Sequence, residues 1–243
     1  MDFIGEFNRK MEEYQPKFEV LGLLSADDRI YQIGTDTKVL STAFELMARP
    51  LIFKIAEEHG LVVHEPAAQN FYPDFTLMTD DEDTAKIAVD VKSTYRNFNR
   101  KGGWSAGFTL GSYTSFLINE AKNIAFPYSQ YAKHYIIGFI YTRTITAPKV
   151  DGAEEPERIF TLDKRAQIPC PIEDVGCFVQ EKYRIASKRA GSGNTANIGS
   201  IIGKSVQDFA EGNGPFAAEG DEAFLAYWRS YGVNKDRIPR TTS

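Results

Sequence analysis

The segment from Tyr72 to Ser93 constrains the fold more than any other part of the sequence. It contains two apolar runs that are separated by an acidic, polar stretch. A turn centred on Glu82 pairs Phe75 with Val89, and the pairs around them also join apolar residues. Since facing residues of an antiparallel pair form the unit of sheet stabilisation, the sequence predicts a β-hairpin in this register.

The same register places Asp74 opposite Asp90, and side-chain alternation puts Lys92 on the same face. Like charges that face each other directly are destabilising, so such a pair usually needs a cation. Carboxylate oxygens suit Mg²⁺, which also accepts phosphate oxygens. A metal-bound water can act as a nucleophile, and Lys92 can orient it or stabilise charge on a phosphate. The pattern favours phosphodiester hydrolysis; the alternative is a surface hairpin in which Lys92 merely neutralises Asp90.

The rest of the chain indicates a mixed α/β (α+β) fold, in which a mixed β-sheet is flanked by helices. A long helix is expected from Lys38 to about His59, capped within Thr35–Thr37 and kinked or divided at Pro50. The other predicted elements are a helix over 3–15, a hairpin over Glu19–Gly34, a strand at Leu61–His64, a helix over 114–125, a buried strand over 134–142, a strand near Cys177–Ile185 and a helix at Glu222–Tyr231. Residues 147–157 and 187–200 are expected to be loops, and the last dozen residues a tail.

The composition is that of an ordinary globular protein, with 42% hydrophobic and 25% charged residues among 243. The longest apolar run, Tyr135–Tyr141, is far shorter than a membrane span, and the N-terminus lacks the apolar stretch of a signal peptide. We therefore expect a cytoplasmic protein without a membrane partner. The net charge of −5 speaks against nucleic acid, but bases cluster at Lys92–Lys101 and Lys182–Arg189. These clusters are either solvated faces or a local DNA-binding surface.

Longer segments carry a resemblance to a known family. "YPDFTL" followed by "IAVDVKST" resembles the PD-(D/E)xK nuclease motif. Asp36–Gly60, Phe108–Phe116, Gln130–Arg143 and Ala190–Ile201 resemble one family of type II restriction endonucleases within that superfamily. The resemblance covers about residues 19–145 and 176–231. It implies a restriction-endonuclease-like fold and a homodimer that clasps double-stranded DNA, makes one Mg²⁺-dependent cut per strand, and cuts GATATC at its centre to blunt ends.

The resemblance also assigns roles to the residues of the hairpin. Asp74 and Asp90 match the metal-binding carboxylates, and Lys92 matches the catalytic lysine. The carbonyl of Val91 matches a further metal ligand. Glu45, on the long helix, matches an auxiliary acid that assists metal binding, although an exposed helical glutamate is its bland alternative.

A glycine-rich loop is the candidate for base recognition. Glycines let a backbone approach a surface closely, and amide and hydroxyl side chains can reach base edges in the major groove. The resemblance implies that the reading residues are Gly191, Ser192, Gly193, Asn194, Thr195 and Asn197, with a departure at Ala196. The same string fits a dinucleotide fingerprint, but too little chain follows it for such a fold, so no nucleotide cofactor is expected.

Other DNA contacts rest on the resemblance alone. Gln69 and Asn70 match a minor-groove loop, from which Ala68 and Phe71 depart by losing polar groups. Phosphate or base contacts are implied for Thr37, Lys38, Ser93 and Thr94.

The resemblance further implies a single domain over 1–243 with three parts. Residues 19–34 and about 147–165 form a dimerisation part, 35–146 the catalytic core, and 176–231 the DNA-recognition part.

Two other functions stay open on sequence grounds. A PD-(D/E)xK repair or junction nuclease would not digest duplex DNA into discrete fragments. A DNA-binding module whose cleavage has decayed would not nick DNA in Mg²⁺, although Asp74, Asp90 and Lys92 are all present.

Overall fold

The computed structural model describes residues 1–144, 159–191 and 196–231. The α-helices of these ranges are α1 (Phe3–Tyr14), α2 (Thr37–Glu58), α3 (Lys182–Ile185), α4 (Val206–Glu211) and α5 (Asp221–Tyr231). The strands are β1 (Gly22–Leu24), β2 (Arg29–Gln32), β3 (Val62–His64), β4 (Phe75–Met78), β5 (Lys86–Tyr95), β6 (Asn97–Phe98), β7 (Trp104–Ser105), β8 (Thr109–Ser112), β9 (Tyr131–Arg143), β10 (Ile159–Thr161), β11 (Ile172–Glu181), β12 (Ala186–Ala190) and β13 (Asn197–Ser200). The predicted loop 147–157, the predicted tail 232–243, and the loop residues Ser192, Gly193, Asn194 and Thr195 lie outside the described residues.

The central sheet has the strand order β11-β9-β5-β4-β3. The β5 and β9 strands run parallel, and the other neighbours run antiparallel. Phe75 pairs with Val89 and Leu77 with Ile87, which confirms the predicted hairpin register. The predicted fold class, a mixed sheet flanked by helices, is confirmed as well.

Two apolar cores cover the two faces of this sheet. On one face α1 and α2 pack against residues such as Val89, and Phe44 stacks on Phe139 with ring centroids 4.6 Å apart. On the other face Ala88 and Ile136 belong to a core that includes residues of α4 and α5. Because side chains alternate along β5, the strand directs buried groups into both layers.

Several predicted elements are confirmed. The hairpin of β1 and β2 turns at Ser25–Asp28, and β10 adds a third antiparallel strand to it. The carboxylate of Asp36 caps α2 by accepting hydrogen bonds from the N–H groups of Lys38 and Val39. The helix continues past Pro50, so a division at that residue was wrong. No helix in the described ranges combines the length and apolarity needed to cross a membrane.

The predicted helix over 114–125 is wrong. Only Tyr113–Leu117 forms a helical turn, of the π type. Beyond it the side chain of Asn119 accepts a hydrogen bond from the N–H of Ala121, and Asn123 has a positive φ of 54°. Local bonds from asparagine compete with the helix, and the backbone then pairs with Tyr72 on either side of Ile124.

The boundaries predicted near the recognition loop are also wrong. The strand expected at Cys177–Ile185 is β11, which ends at Glu181 and is followed by the single turn α3. Much of the segment 187–200 is not loop, since β12 and β13 pair antiparallel there. The strand β13 also pairs with β8, which lies in a distant part of the chain. The loop-like composition of 187–200 does not indicate these backbone hydrogen bonds.

Candidate active site

The predicted carboxylate pair lies at one end of the β4–β5 hairpin. Asp74 immediately precedes β4, and the register of that strand extends to place it beside Asp90 on β5. Asp90 is buried, and its side chain shares a face with Ala88 rather than with Val89 and Val91. The hairpin thus brings both acids together without help from distant segments.

Three oxygen groups converge on the ammonium of Lys92. Its Nζ lies 2.7 Å from Oδ2 of Asp90 and 3.7 Å from Oδ2 of Asp74. The same ammonium donates a hydrogen bond to the Val91 carbonyl at 3.2 Å. These groups are the metal ligands that the resemblance implies in the hairpin, so the oxygen cluster already surrounds one cation.

Burial dominates the electrostatics of the cluster. It raises the pKa of Asp74, and the attraction of Lys92 and the hydrogen bond from the Val91 N–H, at 2.7 Å, offset only part of that rise. Burial also lowers the pKa of Lys92, but the carboxylates of Asp74 and Asp90 together outweigh it and leave the pKa raised. The lysine therefore stays charged at neutral pH.

The residues of the cluster fit a hard divalent cation. Oδ2 of Asp90 is buried and, despite its contact with Lys92, has no hydrogen bond of good geometry. Carboxylate and backbone carbonyl oxygens are the ligands that Mg²⁺ and Ca²⁺ prefer. Asp74, Asp90 and Val91 thus offer a suitable donor set.

Glu45 lies beside this cluster without joining it. It lines a cavity of about 400 Å³ together with Asp74, Val91 and Lys92, and burial raises its pKa. In the described ranges, however, no three acidic, His or Cys side chains are grouped closely enough to hold a metal. Its role as a third carboxylate stays a prediction.

A second cavity, of about 190 Å³, is lined by both acids of the β4–β5 hairpin. Asp74, Asp90 and Lys92 line one part of it, and Gln69 and Asn70 line another. Gly111, Ser112 and Phe116 are also among its lining residues. The predicted minor-groove loop therefore borders the cluster directly.

The strands β12 and β13 flank the predicted recognition loop, and we call them the recognition hairpin. The described residues of this hairpin contact the wall of the second cavity. The N–H of Gly191 donates to the carbonyl of Asn197 at 2.8 Å, and Asn197 pairs with Ser112 on β8. The hydroxyl of Ser112 donates to the carbonyl of Ala196 at 3.2 Å. One strand thus joins the end of the predicted recognition loop to the cavity wall.

The remaining predicted DNA contacts lie at element ends. Thr37 and Lys38 are exposed in the first turn of α2. Ser93 and Thr94 are half-buried near the end of β5, and the hydroxyl of Ser93 lies 3.4 Å from that of Ser41. All four lie on elements that also carry residues of the cluster or of the cavity beside it.

Sequence reasoning missed Lys182. As a member of a basic cluster it was expected on a solvated or DNA-binding face, yet the side chain is 1% exposed. The rings that cover it belong to Tyr72 and Phe116, far earlier in the chain, so the residues next to Lys182 do not indicate its burial. Ser112 was missed as well, because its role depends on pairing with a strand far along the chain.

Two comparisons with known proteins bear on this site. Residues 14–243 match the family model described as restriction endonuclease EcoRV. The type II restriction enzyme EcoRV of Escherichia coli is 48% identical over 215 residues, which cover 88% of this chain and 83% of that enzyme. The resemblance inferred from the sequence is thereby confirmed, and the family match includes the oxygen cluster and the recognition hairpin.

Proposed function

This chain belongs to the restriction endonuclease EcoRV family, and from that premise we propose that it cuts double-stranded DNA at GATATC, at the centre of the site and to blunt ends. Membership makes it a type II restriction endonuclease, a DNA-cleaving hydrolase of a metal-dependent family. The proposal adds Mg²⁺ as the metal and a homodimer as the active form. The observation that carries it is the convergence of two carboxylates and a carbonyl on one cation.

Asp74, Asp90 and the Val91 carbonyl would hold the ion. When bound, Mg²⁺ supplies a water of lowered pKa and a Lewis acid for the phosphate. Asp74 is fixed for this task by the N–H of Val91, and Asp90 by its place inside β5. Glu45 would act from α2 on the neighbouring cavity as an auxiliary acid.

Lys92 would serve the reacting phosphate. Its ammonium is charged and lies among the oxygens of the cluster. A charge held there can stabilise the negative charge that develops on the phosphate, or orient the attacking water. A neutral side chain of the same length could not supply that charge.

The proposed specificity rests on the recognition loop. Gly191, Gly193, Asn194 and Thr195 are present, and Ala196 removes a hydroxyl without adding a base-reading group. In the proposed contact set Ser192 and Asn197 belong to this loop, Gln69 and Asn70 to the minor groove, and Thr37, Lys38, Ser93 and Thr94 to the backbone. The losses at Ala68 and Phe71 affect the minor groove, which mainly separates A·T from G·C, so the site should be unchanged.

A homodimer is supported by an apolar row on the small sheet. Leu23, Tyr31 and Ile159 are paired across β1, β2 and β10. They are 60%, 42% and 43% exposed, so the row is open to a partner. We propose residues 19–34 and about 147–165 as the dimerisation part of a single domain, with 35–146 as catalytic core and 176–231 as recognition part.

The test is digestion of duplex DNA of known sequence, followed by sequencing of every fragment end. Cleavage in Mg²⁺, with none in chelator, should give discrete fragments with blunt ends inside GATATC. Ca²⁺ should permit binding with little cutting, because the larger ion relaxes the geometry. Staggered ends or another consensus would refute the specificity. A smear of products would favour a repair or junction nuclease. If the protein does not nick DNA at all, the result would favour a DNA-binding module.

A further inference from the structure

Lys182 is a buried lysine without a hydrogen-bond partner among the described residues. It is the first residue of α3, directly after β11, and its side chain is 1% exposed. Its Nζ is buried and donates no hydrogen bond to any described residue. A buried charge that lacks a partner is costly, so its retention calls for an explanation.

The other fully buried lysines of the described ranges are paired. Lys10 lies 2.8 Å from Glu13 and 2.7 Å from Glu58. Lys86 donates to the Asp81 carbonyl at 2.9 Å and to Gln130 Oε1 at 3.0 Å. Lys182 has no such hydrogen-bonding or ion-pair partner among the described residues.

The ammonium of Lys182 lies directly behind the cavity of the oxygen cluster. Its Nζ is 4.3 Å from the ring centroid of Tyr72 and 4.6 Å from that of Phe116. A Cβ built on Gly111 would stand 4.0 Å from the same nitrogen. Tyr72, Phe116 and Gly111 all line the cavity that Asp74 and Asp90 also line. One layer of atoms thus separates the charge from the cavity, and at Gly111 that layer has no side chain.

The surroundings compensate the ammonium of Lys182 only in part. Burial lowers the pKa of Lys182 to about 7, although the carboxylate of Asp90 raises it. The two aromatic faces return only part of the cost of burial, because a cation–π contact is weaker than an ion pair with a carboxylate. An anion in the cavity would supply the missing counter-charge.

We propose that Lys182 is a positioning residue for the phosphodiester, whose ammonium attracts the phosphate entering the cavity and holds it against Asp74 and Asp90. The inference rests on the proposed function, since it takes the cavity as the place of the scissile phosphate. Among the described residues that line the cavity, a phosphate would meet the two acids and one cationic side chain, Lys92. A second cation behind the wall offsets that repulsion without occupying the space of the substrate.

The experiment compares two DNA duplexes and two protein variants. One duplex carries GATATC with ordinary phosphates; the other carries an uncharged methylphosphonate at the central linkage of each strand. Dissociation constants are measured in Ca²⁺ for the unaltered protein and for Lys182→Met. We expect the variant to bind the ordinary duplex about 10-fold more weakly, on the order of one partly screened charge pair. It should bind the methylphosphonate duplex as well as the unaltered protein does.

Lys10→Met is the matched control, since it also removes a buried lysine but lies on α1, among Glu13 and Glu58. Any loss of affinity through destabilisation should be the same for both duplexes. Lys182→Arg should preserve the preference for the charged linkage. Lys182→Gln is a second neutral variant in case the thioether destabilises the fold.

An equal loss by Lys182→Met on both duplexes, or no loss on either, would overturn the proposal and assign Lys182 a structural role. The unaltered protein offers an independent measurement through the ¹⁵N signal of the Lys182 ammonium, assigned with Lys182→Arg. That signal should respond to the ordinary duplex and not to the methylphosphonate duplex; the same response to both would contradict the inference. If the unaltered protein does not cut the ordinary duplex at GATATC in Mg²⁺, the proposed function fails instead.

Discussion

At the scale of single residues, the site is a balance between buried acids and one ammonium. Lys92 contacts Asp90 and Asp74, and its own backbone neighbour Val91 supplies the third oxygen. Removing Asp74 or Asp90 makes the cluster less able to bind a cation, whereas removing Lys92 leaves its acids without their cation. Substitutions here should therefore separate stability from activity.

Asp90→Ala should abolish Mg²⁺-dependent cleavage and leave the protein folded. The substitution removes a buried oxygen that has no good hydrogen bond, and with it the repulsion between the two acids. It also removes a proposed metal ligand. Cleavage of plasmid DNA and the circular dichroism spectrum test both parts. Glu65→Ala, which removes an acid paired with Arg49 beside the site, is the control and should keep activity. Turnover like that of the unaltered protein by Asp90→Ala would refute the assignment.

Asp74→Asn should stabilise the metal-free protein at neutral and alkaline pH. An unfolded Asp titrates near pH 4, roughly the reference value, whereas burial raises the folded pKa. The folded state therefore holds a proton that the unfolded state releases, and stability falls as the pH rises from about 4 to the folded pKa. Asparagine has no such proton and still accepts the bond from Val91, so this slope should disappear.

Melting temperatures in chelator, measured across that pH range, provide the test. At the alkaline end Asp74→Asn should melt roughly 2–4 °C higher, the shift that about 1 kcal/mol produces in a chain of this size. Asp80→Asn, in the exposed turn between β4 and β5, is the control and should follow the unaltered protein. Parallel curves for Asp74→Asn and the unaltered protein would contradict the stated cause.

At the scale of elements, the recognition hairpin should carry sequence discrimination. Asn194→Ala should lose about 1–3 kcal/mol of discrimination at one base pair per half-site if Asn194 reads a base edge. A phosphate contact would instead weaken binding to all sequences equally. Cleavage rates on the cognate site and on each single mismatch distinguish the two. Asn213→Ala, an exposed asparagine after α4, is the control. Unchanged rates for Asn194→Ala on every site would remove this residue from the recognition surface.

The stabilising contact between α1 and α2 should be lost in acid. Hydrogen bonds from Lys10 and Arg9 lower the pKa of Glu58 to about 2. An unfolded Glu titrates near pH 4.3, roughly, so the contribution of Glu58 is complete above that pH and is lost as the pH falls toward 2. The free energies of unfolding of the unaltered protein and of Glu58→Gln should differ above this window and converge within it.

Denaturant unfolding at a series of pH values checks this expectation. Glu57→Gln is the matched control, because Glu57 adjoins Glu58 and forms a surface ion pair with the exposed Lys54. It should change stability little at any pH. A difference between Glu58→Gln and the unaltered protein that persists unchanged to pH 2 would contradict the linkage.

Features that are specified by residues close together in the sequence were predictable, and features that depend on contacts between distant residues were not. The β4–β5 hairpin was predictable in register, because a short turn and an alternating pattern specify it, and Asp74, Asp90 and Lys92 came with it. The segment 114–125 was not, because pairing with Tyr72 overrides its apolar spacing. Lys182 was not predictable as buried, since the rings that cover it come from residues far earlier in the chain.

At the scale of the whole molecule, one chain holds one oxygen cluster in its described part, while duplex cleavage requires a cut in each strand. A dimer joined through β1, β2 and β10 would provide two clusters. The apolar row of Leu23, Tyr31 and Ile159 lies on this sheet, apart from the recognition hairpin and the cluster in sequence and in sheet. The residues of this row are not among those that line the two cavities beside the cluster.

Tyr31→Lys should therefore convert the protein to a folded monomer that fails to cleave duplex DNA. Association would bury the lysine charge in the middle of an apolar row, without a partner. The desolvation of a buried ion costs several kcal/mol. Sedimentation velocity measures the change of mass, and circular dichroism verifies the fold. Val62→Lys, at an exposed position of 54% on the edge strand β3, is the control and should remain dimeric and active. A Tyr31→Lys protein that still sediments as a dimer would place the interface elsewhere, and a monomeric one that still makes blunt cuts would show that one cluster serves both strands in turn.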